Sequence, residues 1–202
     1  MFSDGAHVID AVICDVGGVV LLFEPQVSDD IESRFGLPEG QLMKTLLKSE
    51  ATKLATVGQI DFPEWFQRVS SVIPAAAVRE WLAYHGEKNI PLVETLASVR
   101  RSGVILLLLS NATGRLWADL AYHGLQEFAD TVFCSADMGI AKPDSRAYTH
   151  VAGSAAIALN RALYIDDTPS WVEAGRELGM HGHIYCTPED LTQTLITTGL
   201  LR

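Results

Sequence analysis

The sequence predicts an α/β protein: a doubly wound parallel sheet with a small α-helical subdomain set into it. Three observations carry this reading. Short, almost continuously apolar runs recur along the chain, helical patterns alternate with them, and one stretch, residues 24–90, breaks the alternation. Continuous apolar runs mark strands covered by helices on both faces, as in parallel sheets. Regular alternation of strand and helix marks βαβ units.

The first run, residues 8–14, reads Val-Ile-Asp-Ala-Val-Ile-Cys and ends at Asp15. Residues 24–90 follow with no strand pattern and with apolar residues at helical spacing, among them Ile31 with Phe35, Leu42 with Leu46, and Val78 with Leu82. Pro25, Pro38, Pro63 and Pro74 stand near the expected helix starts, where a missing N–H costs little. The alternation then resumes: helix 92–101, strand 104–109, helix 115–122, strand 131–134, helix 145–156, strand 162–165, helix 170–178 and strand 182–186. The domain reading is therefore an α/β core of residues 1–23 and 91–202, with residues 24–90 as a helical cap subdomain.

The chain of 202 residues carries a net charge of −10. An acidic surface repels phosphate backbones, so no nucleic-acid partner is expected. Residues 1–5 lack a basic region followed by an apolar core, so no signal peptide is expected there. The most apolar run, 104–109, is too short to span a bilayer. Cys14, Cys134 and Cys186 are far apart, each in an apolar run, and are read as buried reduced thiols. These features point to a cytoplasmic protein with no membrane partner; a homodimer is left open.

In an open parallel sheet ligands bind at the carboxyl ends of the strands. Four of those ends carry polar residues: Asp15 before Val16-Gly17-Gly18, Ser110-Asn111, the loop Lys142-Pro143-Asp144, and Asp166-Asp167-Thr168. Taken singly, each is an ordinary helix cap or turn. Together they put three carboxylates at strand ends, which raise one another's pKa values unless a cation intervenes. Hard oxygen ligands favour Mg2+. Lys142 and the Ser110 hydroxyl would then be free for an anionic substrate group, and the glycines, Gly18 among them, would let it approach the backbone. A carboxylate nucleophile, a metal, a lysine and a hydroxyl donor make a phosphoryl-transfer site.

The order of these motifs resembles that of the haloacid dehalogenase superfamily, in the branch with a helical cap after the first motif. Residues 139–148 (Gly-Ile-Ala-Lys-Pro-Asp-Ser-Arg-Ala-Tyr) resemble its lysine motif. Asp166-Asp167-Thr168 with Val172-Glu173-Ala174-Gly175 resembles its fourth motif, and Gly58-Gln59-Ile60-Asp61 with Trp65 a recurrent cap segment. The resemblance implies Asp15 as nucleophile and metal ligand, the Gly17 carbonyl as a second ligand, and Asp166 and Asp167 completing the protein's share of the magnesium site. It implies Ser110 and Lys142 on the phosphoryl oxygens, with the Asn111 amide nearby. The implied activity is a magnesium-dependent phosphatase working through an aspartyl phosphate on a small phosphorylated metabolite, a sugar phosphate or similar.

Two places depart from the pattern. The phosphatases of this superfamily usually carry a second aspartate, the general acid, where this chain has Gly17. Such assistance is worth roughly a hundred- to ten-thousand-fold in rate. Glu24, Lys53, His85 and His123 are the candidates to replace it. The alternatives are a carbon–halogen hydrolase, which needs no such acid, a phosphonate-cleaving enzyme with Lys53 as Schiff base, and a non-catalytic member that binds a phosphometabolite or a protein. The second departure is Trp171, which stands where the family often has Asp or Asn and is read as a packing aromatic, as are Tyr148, Trp117 and Trp81.

Overall fold

The computed structural model describes residues 9–201. The readings for residues 1–5 and for residue 8 as the start of the first strand lie outside the described residues. In chain order the elements are β1 (Ala11–Cys14), β2 (Leu21–Leu22), α1 (Pro25–Phe35), α2 (Gln41–Lys48), α3 (Glu50–Thr56), α4 (Phe62–Ser70), α5 (Ala75–Ala83), β3 (Glu87–Lys88), α6 (Ile90–Arg101), β4 (Ile105–Ser110), α7 (Arg115–Tyr122), β5 (Thr131–Cys134), α8 (Ser135–Met138), α9 (Ser145–Ser154), β6 (Ala162–Asp166), α10 (Pro169–Glu177), β7 (His181–Ile184) and α11 (Pro188–Thr197).

Five strands form one parallel sheet in the order β5-β4-β1-β6-β7. Side chains alternate between its faces with the period of two that a strand imposes. Val12, Cys14, Leu106, Leu108, Leu163 and Ile165 enter one core, closed by Leu92 and Leu96 of α6, Leu116 of α7 and Leu191 of α11. Ile13, Leu107, Leu109 and Tyr164 enter the other, closed by Tyr148 and Val151 of α9 and Val172 of α10. Burial on both faces is why the strands read as unbroken apolar runs. The chain winds outward from β1 through β4 to β5, then returns to β6 beside β1. The topological switch point therefore lies between β1 and β6, where a ligand crevice is expected.

Helices α1–α5 gather around an apolar cluster of their own that includes Ile31, Leu42, Leu46, Trp65, Val69 and Val78. The start of α2 has no side-chain cap of its own; the buried Glu32 carboxylate of α1 accepts from Gly40 and Leu42 N–H at 2.7 Å each. That satisfies donors otherwise left orphaned and places an anion at the positive end of the helix. Gly58 has φ 67°, and a Cβ there would lie 2.3 Å from the Ala136 carbonyl oxygen. A glycine at 58 thus lets the helical segment touch the backbone of α8.

Three sequence readings need correction. Residues 24–90 are not wholly free of strand, because Glu87–Lys88 pairs antiparallel with Leu21–Leu22 and ties the two ends of the helical segment together. Cys186 is exposed, since β7 stops at Ile184 before reaching it. Trp117 is 45% exposed and donates from Nε1 to Asp137 Oδ2 at 3.0 Å, so it packs into neither core. No helix among the described residues is long and apolar enough to cross a membrane.

Candidate active site

Asp15 directly follows β1 at the switch point. Its N–H donates to the Ile165 carbonyl at 2.9 Å, extending the β1–β6 ladder by one residue and fixing where its side chain emerges. The chain then folds back tightly. The N–H groups of Val19, Val20 and Leu21 converge on the Val16 carbonyl at 3.3, 2.9 and 2.8 Å. Buried Asn89 clamps this turn from the other side: its N–H donates to Val20 O at 3.0 Å, and its amide donates to Val19 O at 2.8 Å and to the Tyr185 hydroxyl at 2.7 Å.

Lys142 is fully buried at the centre of the site. Its Nζ lies 2.8 Å from Asp15 Oδ1, 2.7 Å from Asp166 Oδ2 and 3.0 Å from the Leu109 carbonyl. An ammonium has three donors, and all three are taken. The sequence reading gave Lys142 to an anionic substrate group and, by the resemblance, to offsetting the charge on Asp15; here its Nζ is paired with Asp15 and with a second carboxylate. Trp171 covers it, with Nζ 4.6 Å from the ring centre, so this aromatic is both packing and a wall around the charge. The Asn111 side chain is also engaged. Its Nδ2 donates to Lys142 O, and its Oδ1 accepts from Lys142 N–H, each at 2.8 Å. Asn111 sets the lysine loop in place and keeps its second Nδ2–H for a ligand in the cavity.

Asp166 is committed as well. Oδ2 accepts from Lys142 and from the Tyr164 hydroxyl, while Oδ1 accepts from Thr168 N–H at 2.8 Å. Asp167 is exposed, and its Oδ1 accepts from the neighbouring Thr168 hydroxyl at 3.3 Å. Oxygens of Asp15, Asp166 and Asp167 all lie within 4.8 Å of one another. Burial raises the Asp15 pKa to about 6; Lys142 pulls it back and Asp166 adds to the rise. Asp167 is also raised, by partial desolvation and then by Asp166.

One lysine among three crowded carboxylates leaves charge to be neutralised, and a divalent cation with oxygen ligands fits that need. The donors still free to hold it are Asp15, Asp167 and the Gly17 carbonyl, which accepts no hydrogen bond among the described residues. Asp166 acts behind them, through its bonds to Lys142 and Thr168. Gly18 has φ 82°, and a Cβ on it would lie 2.1 Å from Asp167 Oδ2. Glycine is what lets that carboxylate lie against the turn.

A cavity of about 360 Å³ opens over this site, with Gly17, Gly18, Ser110 and Asp167 on its floor. The Asp15 side chain lies just beneath, 6% exposed. The Ser110 hydroxyl has no hydrogen-bond partner among the described residues and is free to donate. None of the four candidates for the missing acid lines the cavity. The Lys53 side chain is 69% exposed and pairs with Glu50, which removes the basis for a Schiff-base role. His85 Nδ1 lies 2.7 Å from Asp119 Oδ1, His123 Nε2 lies 3.1 Å from the His85 carbonyl, and Glu24 is an exposed residue before α1.

Sequence reasoning missed Tyr164, Asn89 and the buried pair Arg115–Asp119 of the cavity wall. Tyr164 had a signal: two residues before Asp166 on a strand, it shares that residue's face. Asn89 had none, because a lone asparagine before a helix reads as a cap.

Residues 9–179 match the family model of the haloacid dehalogenase-like hydrolases. A phosphatase from Mycobacterium tuberculosis is 33% identical over 91 residues, which is 44% of this chain and 42% of that protein. The match thus spans less than half of that relative's length. A sesquiterpene phosphatase from Aspergillus oryzae is 24% identical over 179 residues, covering 85% of this chain and 87% of its own. Among solved structures, a HAD family enzyme from Bacteroides thetaiotaomicron, in complex with magnesium and inorganic phosphate, superposes with a TM-score of 0.78 at 17% identity. That superposition covers 92% of this chain and 98% of the other. At that identity the likeness speaks for the fold alone.

Proposed function

The chain belongs to the haloacid dehalogenase-like hydrolases, and from that premise we propose that it hydrolyses small phosphomonoesters with magnesium, through Asp15. The observation that carries the reading is the grouping of Asp15, Asp166 and Asp167 around a single lysine, beside the free Ser110 hydroxyl on a cavity floor. A carbon–halogen hydrolase has no use for the outer carboxylate, Asp167.

In this mechanism Lys142 holds Asp15 ionised and aimed. An Asp15 carboxylate oxygen attacks phosphorus, and the bond from phosphorus to the ester oxygen breaks. The Ser110 hydroxyl donates to a phosphoryl oxygen. Gly17 offers no proton, so the leaving alkoxide takes one from water, and the hydroxide left behind takes a proton from the water that attacks next. A second water then attacks phosphorus and releases phosphate, restoring the Asp15 carboxylate. Asp15, Asp167 and the Gly17 carbonyl would hold magnesium, which when bound would neutralise charge on the phosphoryl group. Helices α1–α5 serve as a cap that excludes bulk water during these steps.

Position 17 tests the gap directly. A Cβ built on Gly17 meets nothing within 4 Å, and its backbone is not in the left-handed region. Gly17→Asp should therefore fold normally and raise kcat at least about tenfold, a fraction of the roughly hundredfold or more that a general acid contributes. A folded variant with no gain would contradict the account of the missing acid. At position 18 the reverse holds. Gly18→Ala should displace Asp167 and raise the magnesium concentration for half-maximal activity at least about tenfold, through strain at positive φ and the clash with Oδ2. An unchanged magnesium titration would exclude Asp167 as a ligand.

The function itself is tested by phosphate release from a panel of phosphomonoesters with and without magnesium. Magnesium-dependent release supports it. Silence across the panel from folded protein, or halide release from haloacids without metal, overturns it.

A further inference from the structure

The cavity over Asp15 has a chemistry of its own. Beyond the polar floor, its walls include Phe23, Met43, Leu46, Leu47, Trp81 and Leu116. Leu47 is 51% exposed, so the apolar surface extends outward from the interior. A volume near 360 Å³ equals about a dozen water-sized units, room for an organic group on the order of ten carbon atoms.

Most polar side chains in these walls are already engaged within the protein. Thr52 Oγ1 donates to the Leu46 carbonyl at 2.8 Å and accepts from Trp65 Nε1 at 2.9 Å. Asp119 accepts from Arg115 Nε at 3.2 Å and is paired with His85 at 2.7 Å. Arg115 also donates from Nη2 to the Tyr84 carbonyl, and its Cζ lies 4.1 Å from the centre of the Trp81 ring. Its Nη1 has no partner but is shielded from any water-sized probe, hence out of reach of the cavity. Asn111 gives Oδ1 and one of its two Nδ2–H groups to Lys142. Among the described residues, the Thr56 and Thr113 hydroxyls and the second Asn111 Nδ2–H remain above the floor, against about four free hydroxyls of a hexose phosphate.

A sugar entering here would strip water from several hydroxyls and find few replacements, whereas an aliphatic chain would exchange water for apolar wall. Resting on the phosphatase reading above, we propose that the substrate is the phosphate monoester of an apolar aliphatic alcohol, on the order of ten carbons long, rather than a sugar phosphate. The phosphoryl group lies on the floor at Ser110 and Asp167, and the chain runs up between Leu116 of the sheet domain and Met43, Leu46 and Leu47 of α2. The products are the free alcohol and inorganic phosphate.

The test is kcat/KM with magnesium for the n-alkyl phosphates from ethyl to decyl, beside a hexose 6-phosphate. The expected result is a rise of about threefold per methylene, flattening as the cavity fills. The hexose phosphate should fall at least a hundredfold below octyl phosphate. Leu47→Asp, at an exposed position that leaves the fold intact, should lower the octyl-to-ethyl ratio about tenfold. Turnover with a flat series, a preference for the sugar, or an unchanged ratio in Leu47→Asp overturns the apolar assignment and leaves the phosphatase reading standing. No phosphate release from any ester overturns both.

Discussion

Asp15→Asn is expected to abolish phosphate release, by at least about ten-thousand-fold in kcat, as loss of a nucleophile does elsewhere. The amide matches the carboxylate in shape, and backbone donation to Ile165 is untouched, so the fold should survive. Lys142 keeps Asp166 and the Leu109 carbonyl as partners, which leaves no buried charge stranded. Near-ultraviolet circular dichroism and thermal melting should match the parent. A folded Asp15→Asn protein that retains a tenth of parental activity would remove Asp15 from the chemistry.

Lys142→Met should affect both stability and activity. The lysine side chain is wholly buried and shared by two carboxylates. Removing one partner of a buried ion pair costs about 3–5 kcal/mol. For a chain of this size that lowers the melting temperature by about 10 °C. Activity should fall with it, since Asp15 loses the cation paired with it. The loss should also depend on pH in metal-free buffer. Burial already raises Asp15 to about 6 with the lysine present, and without it the folded-state pKa rises further above the unfolded value. A raised carboxyl pKa means the folded state binds more protons than the unfolded one, so stability is gained as pH falls and lost as pH rises through that pKa. Urea unfolding should therefore show a smaller deficit at pH 5 than at pH 8. An equal deficit at both would mean that the carboxylates do not depend on Lys142 for their charge.

Much of this site was legible because parallel-sheet physics makes it so. Apolar runs buried on both faces end abruptly, and the residues just beyond them, Asp15, Ser110 and Asp166-Asp167, can only sit at the carboxyl edge of the sheet. What could not be read was how donors are shared. That Lys142 spends all three N–H groups inside the protein, and that Asn111 is engaged in holding it, depends on distances between loops more than thirty residues apart. The ribbon of Leu21–Leu22 with Glu87–Lys88 escaped for a related reason: a two-residue strand carries no periodicity. The helical segment announced itself through spacing, but its contribution to the cavity did not. Met43, Leu46 and Leu47 look like ordinary core residues of α2 until the sheet domain is placed beneath them.

The most direct measurement is covalent trapping. The protein would be mixed with a phosphorus-32-labelled alkyl phosphate and magnesium, quenched in acid within the first turnover, and digested. The account predicts hydroxylamine-labile label on the peptide that contains Asp15, and none in Asp15→Asn. Turnover with no label on that peptide, or label on a different residue, would contradict it.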